Sequence, residues 1–355
     1  MSLTILNVAY PLAPVGPDAV GGAEQILTQI DHGLVACGHH SIVIAQAGSQ
    51  TAGTFVPVPV EKGVLDELAR RRAQCRHRDA IIAALQRWPV HIVHLHGIDF
   101  DRYLPPPGVP VLVTLHLPAS WYPQDALAPS RPATWLHCVG SAQHEACPKH
   151  PRLLPPIPNG VAVDRLAVSH AKRRFAVVLG RICPEKGVHL AIEAARRADI
   201  PLLIAGEVFP YEAHRRYFDE EVRPRLDSKR RFIGPVGFVR KRRLLSAAQC
   251  LLVASLAPET SSLVAREALA CGTPVVGFPN GALPETIEHG RTGFLVETVE
   301  AMADAIGEAT KLDPHLCRNE AGRRFSAGRM IQRYVELYEA LVGRRAGPAR
   351  LEGAA

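Results

Sequence analysis

Two sets of charged residues stand at spacings that suit a phosphate and the hydroxyls around it. Arg181 and Lys186 lie five apart in "RICPEKG" (181–187), directly after an apolar run over 175–180. Two cations at the carboxyl end of a strand could hold a diphosphate and stabilise it as it leaves; a plain surface turn would carry the same residue types. Glu259 and Glu267 lie eight apart in "APETSSLVAREALACGTPVV" (257–276). They bracket the start of a short apolar helix for which Ser261 or Ser262 is the cap. The first-turn amides and the dipole of such a helix favour an anion. Carboxylates facing a phosphate would be repelled by it, so the two glutamates fit better on hydroxyls to either side, one on a sugar and one on a ribose. Acidity at a helix start is common without any ligand, and that reading stays open.

The first half offers weaker signals of the same kind. Gly21 and Gly22 in "VGGAEQ" (20–25) precede a helix and leave room for a ligand near its amides. His96 ends "HIVHLHG" and His116 ends "VLVTLH", each at the carboxyl end of an expected strand. A packed or solvated imidazole is the simpler account of each. Metal binding by them is conceivable, but they belong to different loops.

These residues need a frame, and the hydrophobic pattern supplies one. Apolar runs over 4–10, 41–46, 91–96, 109–116 and 133–140 alternate with helical patterns over 23–37 and 65–88. After a proline-rich segment, "LLPPIPNGV" (153–161), a second alternation begins. Its strands are expected over 175–180, 201–206, 231–236, 250–255, 274–278 and 293–296, with helices over 188–198, 211–226, 262–270 and 299–312. Strands separated by helices predict parallel, doubly wound sheets of the α/β class. Ligands of such sheets sit outside the carboxyl ends of the strands. The sequence thus predicts two Rossmann-like halves facing across a cleft: residues 1–165, joined by a C-terminal helix over 327–345, and residues 166–326. The last ten residues, 346–355, are expected to be a flexible tail.

Bulk properties agree. A chain of 355 residues, 47% of them hydrophobic, exceeds one ordinary core. The charges of residues 1–165 cancel, so the net +7 belongs to the remainder. A basic half favours an anionic partner, although most of these charges read as solvated surface. Nothing points to nucleic acid. The eight cysteines are scattered singly, without a Cys-x-x-Cys pair, which argues against structural zinc and for reduced thiols in a cytoplasm. The N-terminus lacks the basic start and apolar core of a secretion signal, and no apolar run reaches 18 residues. Arg70, Arg71, Arg72, Arg76 and Arg78 make the 65–88 helix the one candidate for weak contact with an anionic membrane surface. The run 240–243 reads as a solvated helix start or as a membrane- or acceptor-facing patch. The oligomeric state is not encoded in any pattern found here.

Taken together, "PNG" (158–160), "GRICPEKG" (180–187), "LLIAGE" (202–207), "PETSSLVAREALACGTPVV" (258–276), "NGALPE" (280–285) and "GRTGFLV" (290–296) resemble the retaining glycosyltransferases of family 4, which have the GT-B fold. The resemblance covers most of 157–343 and the first half more loosely. It implies a transferase that uses a nucleotide sugar, with a UDP-sugar the commoner donor, and a hydroxyl acceptor that is either a small molecule or a glycan. It implies no metal or other cofactor. Residue by residue, it implies that Arg181 and Lys186 contact the donor diphosphate. Glu259 would bind donor-sugar hydroxyls and Glu267 the ribose, while Thr260, Ser261 and the amides of Ser262 and Leu263 lie near the phosphates. Gly21 and Gly22 match the N-terminal glycine loop. His116 matches the histidine beside the donor sugar, His96 an acceptor-side position that is often polar, and Glu285 a structural glutamate. Where the family has small–Phe–Gly after the first glutamate, this chain has Thr260-Ser261-Ser262. A sugar-nucleotide epimerase on the same fold and a non-catalytic nucleotide-sugar-binding protein are the alternative readings.

Overall fold

The computed structural model describes residues 2–346 except Val64 and Ser169, with no side-chain description for 344–346. Of the expected flexible tail, residues 347–355 lie outside the described residues. The chain separates into two compact units, each with its own sheet. The first comprises residues up to Cys138, Cys147–Ile157 and the last helix from Arg329. The second comprises Val139–Ala146 and Pro158–Gly328. The division at 157/158 precedes the expected one at 165, and a short helix over Ser141–Ala146 goes with the second unit.

In the first unit, strands β1 (Thr4–Val8), β2 (His40–Gln46), β3 (Thr54–Val58), β4 (Ile92–Leu95), β5 (Val111–Leu115), β6 (Thr134–Cys138) and β7 (Leu153–Leu154) form one parallel sheet. Their spatial order is β3-β2-β1-β4-β5-β6-β7. Every residue of β1, β4 and β5 is buried, as expected for parallel strands covered on both faces. Helices α1 (Gly22–Ala36) and α2 (Glu67–Arg87) follow β1 and β3. Strand β3 is missing from the sequence reading because Pro57 and Pro59 argue against a strand. It is an edge strand, where a missing N–H is tolerated.

In the second unit, β8 (Arg173–Leu179), β9 (Leu202–Ala205), β10 (Arg230–Phe232), β11 (Ala248–Val253), β12 (Val275–Gly277) and β13 (Gly293–Leu295) are likewise all parallel. Their order is β10-β9-β8-β11-β12-β13. The principal helices are α3 (Val188–Arg197), α4 (Phe238–Ala247), α5 (Leu263–Ala270), α6 (Val299–Glu308) and α7 (Pro314–Arg324). The last helix, α8 (Ala327–Ala346), belongs mainly to the first unit. Both sheets reverse direction once, between β1 and β4 and between β8 and β11. At such switch points two loops diverge and leave a crevice.

Two expectations are corrected. The helix predicted over 211–226 is only Glu212–Tyr217, followed by a wide turn over Phe218–Val222 and a tight one over Arg223–Arg225, because Pro224 cannot donate into an α-helical ladder. The helix over 299–312 stops at Glu308 and tightens into a turn over Ala309–Lys311. The last helix begins at Ala327, as expected, and the chain pairs Ser326 with Val161 between it and α7. Helix α7, with Asp313 capping it ahead of Pro314, was not anticipated.

Among the described residues no helix is long and apolar enough to cross a membrane. Part of the α2 charge is neutralised locally: Glu61 pairs with both Arg72 and Arg76, and Arg71 lies 3.2 Å from Glu67.

Candidate functional site

Strands β8 and β11 are neighbours in the sheet, so the loops after them emerge side by side. The first carries Arg181 and Lys186 and the second carries Glu259 to Ser262. The two loops are stitched together by backbone bonds, with the amide of Leu256 donating to the carbonyl of Glu185 at 2.8 Å. Gly187, at φ +56°, brings its Cα so near the Ala254 carbonyl that a Cβ there would stand 2.1 Å from the oxygen. Only glycine fits that combination of positive φ and close approach.

Lys186 Nζ reaches Glu259 Oε1 at 2.6 Å, across the switch point. The Ser255 hydroxyl donates to the same carboxylate oxygen. Burial opposes ionisation of Glu259, but Lys186, Ser255 and Arg181 together outweigh it and hold the carboxyl below its usual range. The backbone of Glu259 is fixed from a third strand's loop. It bridges to Gly281, its carbonyl accepts from the amide of Ala282 at 2.7 Å, and Asn280 Nδ2 donates to the Ser255 carbonyl at 2.6 Å. Arg181 is half-buried and forms no ion pair among the described residues. Its guanidinium lies 5.9 Å from the Phe209 ring.

Helix α5 begins at Leu263 with Ser262 as its cap. Ser262 is one of the two expected caps, but it caps through its backbone position alone. Ser262 sits in the left-handed region (φ +48°, ψ +68°), and its side chain makes no capping bond. The Ser261 and Ser262 hydroxyls are both buried and have no partner among the described residues. Buried hydroxyls that bond nothing are uncommon and call for an explanation. Here they stand beside first-turn amides that no side chain caps, a combination suited to an anion. The Thr260 carbonyl lies 2.6 Å from where a Cβ on Gly140 would be, so these loops are closely packed.

Glu267 is 7% exposed, and Lys241 Nζ lies 2.5 Å from its Oε1. Lys241 belongs to the basic run 240–243, read from the sequence as solvent-, membrane- or acceptor-facing; at this position it instead faces a carboxylate inside the second unit. Arg266, on the same helix, is buried at 1% exposure. It donates to the Asn159 carbonyl and lies over the Phe325 ring at 4.8 Å, with burial lowering its pKa to about 10. Helix α5 is thereby tied to the "PNG" segment. Glu285 accepts from the amides of Ser141 and Ala142 at 3.0 and 2.5 Å, capping the short helix there. Ser255, Lys241, Arg266 and Asn280 were not named individually from the sequence, although Lys241 lies in the basic run 240–243, Arg266 in the 258–276 motif and Asn280 in "NGALPE".

In the first unit, Gly21 caps α1 and Gly22 opens it, again with no side-chain cap. Gly21 has an ordinary φ of −78°; what it supplies is space beside the Glu24 carboxylate, which a Cβ would approach to 1.8 Å. His96 and His116, from the neighbouring loops after β4 and β5, meet directly, with His96 Nδ1 3.0 Å from His116 Nε2. Behind them His94 bonds Tyr338 and Thr114, each at 2.7 Å, and Thr114 bonds His137 at 2.7 Å. Burial holds all four imidazoles neutral, with repulsion between the rings adding to it at His94, His96 and His116; His116 falls to about 3 and His137 to about 4.

A separate cavity of about 740 Å³, lined by Lys172, Arg174, Gln249, Asp304 and Pro314, opens at the amino ends of β8, β11 and β12. It is remote from the loops described above.

Comparison with known proteins places this geometry. The profile of the Glycosyl transferases group 1 family matches residues 173–311, which contain both loops. The D-inositol 3-phosphate glycosyltransferase of Mycobacteroides abscessus is 36% identical over 143 residues, 39% of this chain but about a third (32%) of that relative's length. The phosphatidyl-myo-inositol mannosyltransferase of Mycobacterium leprae is 24% identical across 92% of this chain and 95% of its own. Among solved structures, AviGT4, a glycosyltransferase involved in avilamycin A biosynthesis, superposes with a TM-score of 0.73 at 25% identity, covering 96% of this chain and 98% of its own. Anabaena HepE in complex with UDP-glucose shares the fold, with a TM-score of 0.73 at 18% identity over 95% of this chain and all of its own. The paired parallel sheets, the loop motifs at the β8/β11 switch point and these matches agree: residues 173–311 form a group 1 glycosyltransferase domain, family 4, and the chain has the GT-B fold.

Proposed function

We propose that the protein transfers a sugar from a nucleotide-diphosphate sugar to a hydroxyl acceptor and retains the anomeric configuration. The observation that carries this reading is the meeting of Arg181, Lys186, Glu259 and the uncapped start of α5 at one switch point. Arg181, Lys186 and the Ser262–Leu263 amides receive the diphosphate; Thr260, Ser261 and Ser262 line its approach. Glu259 holds donor-sugar hydroxyls and Glu267 the ribose. Each carboxylate is held by one lysine through Oε1, and a carboxylate has further lone pairs with which to accept from hydroxyls. A UDP-sugar is the favoured donor, in keeping with the HepE complex.

Departure of the diphosphate concentrates negative charge next to Arg181, Lys186 and the helix start, which are in position before the reaction. These groups supply the positive charge, so the reading requires no ion on the phosphates. The glutamates are committed to hydroxyls and lysines, so neither serves as a nucleophile under the sugar. The acceptor oxygen then attacks the face the diphosphate leaves: its bond to the anomeric carbon forms as the carbon–phosphate-oxygen bond breaks, and its proton passes to the departing phosphate. His116, Gly21 and Gly22 are assigned to the donor and His96 to the acceptor side.

The test is incubation with a panel of UDP- and other nucleotide sugars plus candidate small-molecule and glycan acceptors, read by mass spectrometry and by product anomeric configuration. A retained product supports the mechanism and an inverted one ends it. Conversion of the donor alone into a different sugar nucleotide would favour an epimerase. Lys186→Ala should lower kcat by roughly 10²–10³, the usual loss on removing one preorganised charge donor; unchanged turnover would remove that loop from the mechanism.

A further inference from the structure

The loop that carries Arg181 and Lys186 also carries Cys183 and Glu185, which the transferase reading leaves without a task. Helix Glu212–Tyr217 brings His214 to them. One ligand atom from each of Cys183, Glu185 and His214 lies within 4.8 Å of the others. A tetrahedral site with bonds of 2.0–2.3 Å needs its ligands about 3.5 Å apart. The required contraction of about 1 Å is within reach of side-chain rotation.

The three side chains converge from well-packed surroundings. The Glu185 carbonyl accepts from the amides of Leu256 and Ala257, which pins its backbone. Cys183 is 1% exposed; its thiol donates to the Glu185 carboxylate and makes a longer 3.8 Å contact to the Arg181 carbonyl. His214 is 9% exposed, and its ring is set between Tyr211, edge-on at 5.2 Å, and Phe209, stacked at 6.2 Å. Its Nδ1 is buried and bonds to nothing. A buried thiol, a carboxylate and an unpartnered imidazole nitrogen at one point are a ligand set in type as well as in distance.

We propose that Cys183, Glu185 and His214 bind one divalent cation of the zinc class, tying the Arg181–Lys186 loop to the helix over 212–217. Binding expels the thiol proton, and the resulting thiolate and the carboxylate together cancel the ion's two charges. A neutral complex is tolerated beside the Arg181 guanidinium. Burial and Arg181 hold the His214 imidazole below its ordinary pKa, so it is available as a neutral ligand. Burial pushes the Cys183 thiol up to about 11, and metal affinity should therefore rise with pH. The site is distinct from the phosphate-binding groups, and its ion would act by fixing the loop that carries them.

Cobalt(II) is the probe, because thiolate coordination gives a charge-transfer absorption that histidine and carboxylate sites lack. The full chain, freed of metal by chelation, is used with the two exposed cysteines replaced (Cys37→Ser, Cys75→Ser). One equivalent of cobalt should produce the band, zinc should displace it, and zinc should raise Tm in a chelator-reversible way. Cys183→Ser should abolish the band. His214→Gln, on a surface-facing helix, should weaken affinity by more than about 100-fold, beyond the 10–100-fold of supporting residues, and serves if Cys183→Ser does not fold. Absence of the band in the parent, or its persistence at full strength in Cys183→Ser, overturns the proposal. No donor or acceptor enters the assay, so its failure is separate from failure of the transferase reading.

Discussion

Ser262 holds a backbone conformation that glycine adopts freely and other residues adopt at a cost of about 1–2 kcal/mol. It stands where the family pattern has glycine, so the chain keeps the backbone geometry while changing the residue. Its hydroxyl has no partner among the described residues, which is consistent with an interaction made only when an anion is present. Ser262→Gly should therefore raise stability by about 1 kcal/mol, readable as a higher denaturation midpoint, while weakening donor binding; a lowered midpoint would show that the serine is favourable there without ligand. Lys241 makes a second residue-scale case. Removing it leaves the nearly buried Glu267 carboxylate without its cation, and Lys241→Ala should destabilise by about 1–3 kcal/mol. An ordinary surface charge change would not behave that way: the neighbouring Arg240→Ala should fall within about 0.5 kcal/mol.

At the scale of elements, the loops are positioned by glycines more than by side chains. Gly281, at φ +63°, lies against the backbone of Glu259, where a Cβ would stand 2.2 Å from the carbonyl oxygen. Gly290 has a similar φ of +76° but open space around it. Gly290→Ala should cost only the backbone preference, about 1 kcal/mol. Gly281→Ala adds a collision with main chain and should cost at least about 2 kcal/mol more, with donor affinity lost as the Glu259 loop shifts. Equal effects in chemical denaturation would show that the close approach is unimportant. The α/β alternation that frames these loops was legible because each strand is a local apolar run and each helix a local 3.6-residue pattern. Strand β3 was not, because its prolines oppose a strand locally and only its edge position makes them harmless. The interruption of the helix over 211–226 was marked by Pro224, whose effect depends on the ladder around it.

For the whole molecule, the distribution of histidine sets a pH response. His77, His94, His96, His116 and His137 are buried and neutral in the first unit. Above the ordinary value of 6.5 neither the folded nor the unfolded chain protonates them. Below it the unfolded chain takes protons that the folded chain refuses until about pH 4 for His77 and His137 and about 3 for His116. Stability of this unit is therefore full above pH 6.5 and falls as pH drops toward 4, by up to about 1.4 kcal/mol per pH unit for each histidine. Hydrogen exchange between pH 7 and 5, corrected for intrinsic rates, should speed up in β4, β5 and β6 more than in β8 and β11. Equal change in the two sheets would rule out the histidines as the cause.

By itself the sequence determined the parallel architecture, the position of the switch-point loops and the identities of Arg181, Lys186, Glu259 and Glu267 as candidates. Each of these is written in short contiguous stretches, where periodicity, turn residues and charge spacing act locally. Tertiary structure alone decided the partners: Lys241 for Glu267, Tyr338 for His94, Arg266 for Asn159, and His214 for the Cys183–Glu185 turn. Those contacts join segments tens to hundreds of residues apart, and the order in which strands enter a sheet brings them together. Side-chain pairing across such distances leaves no periodic trace in a single chain, so it becomes visible only once the sheet order is known.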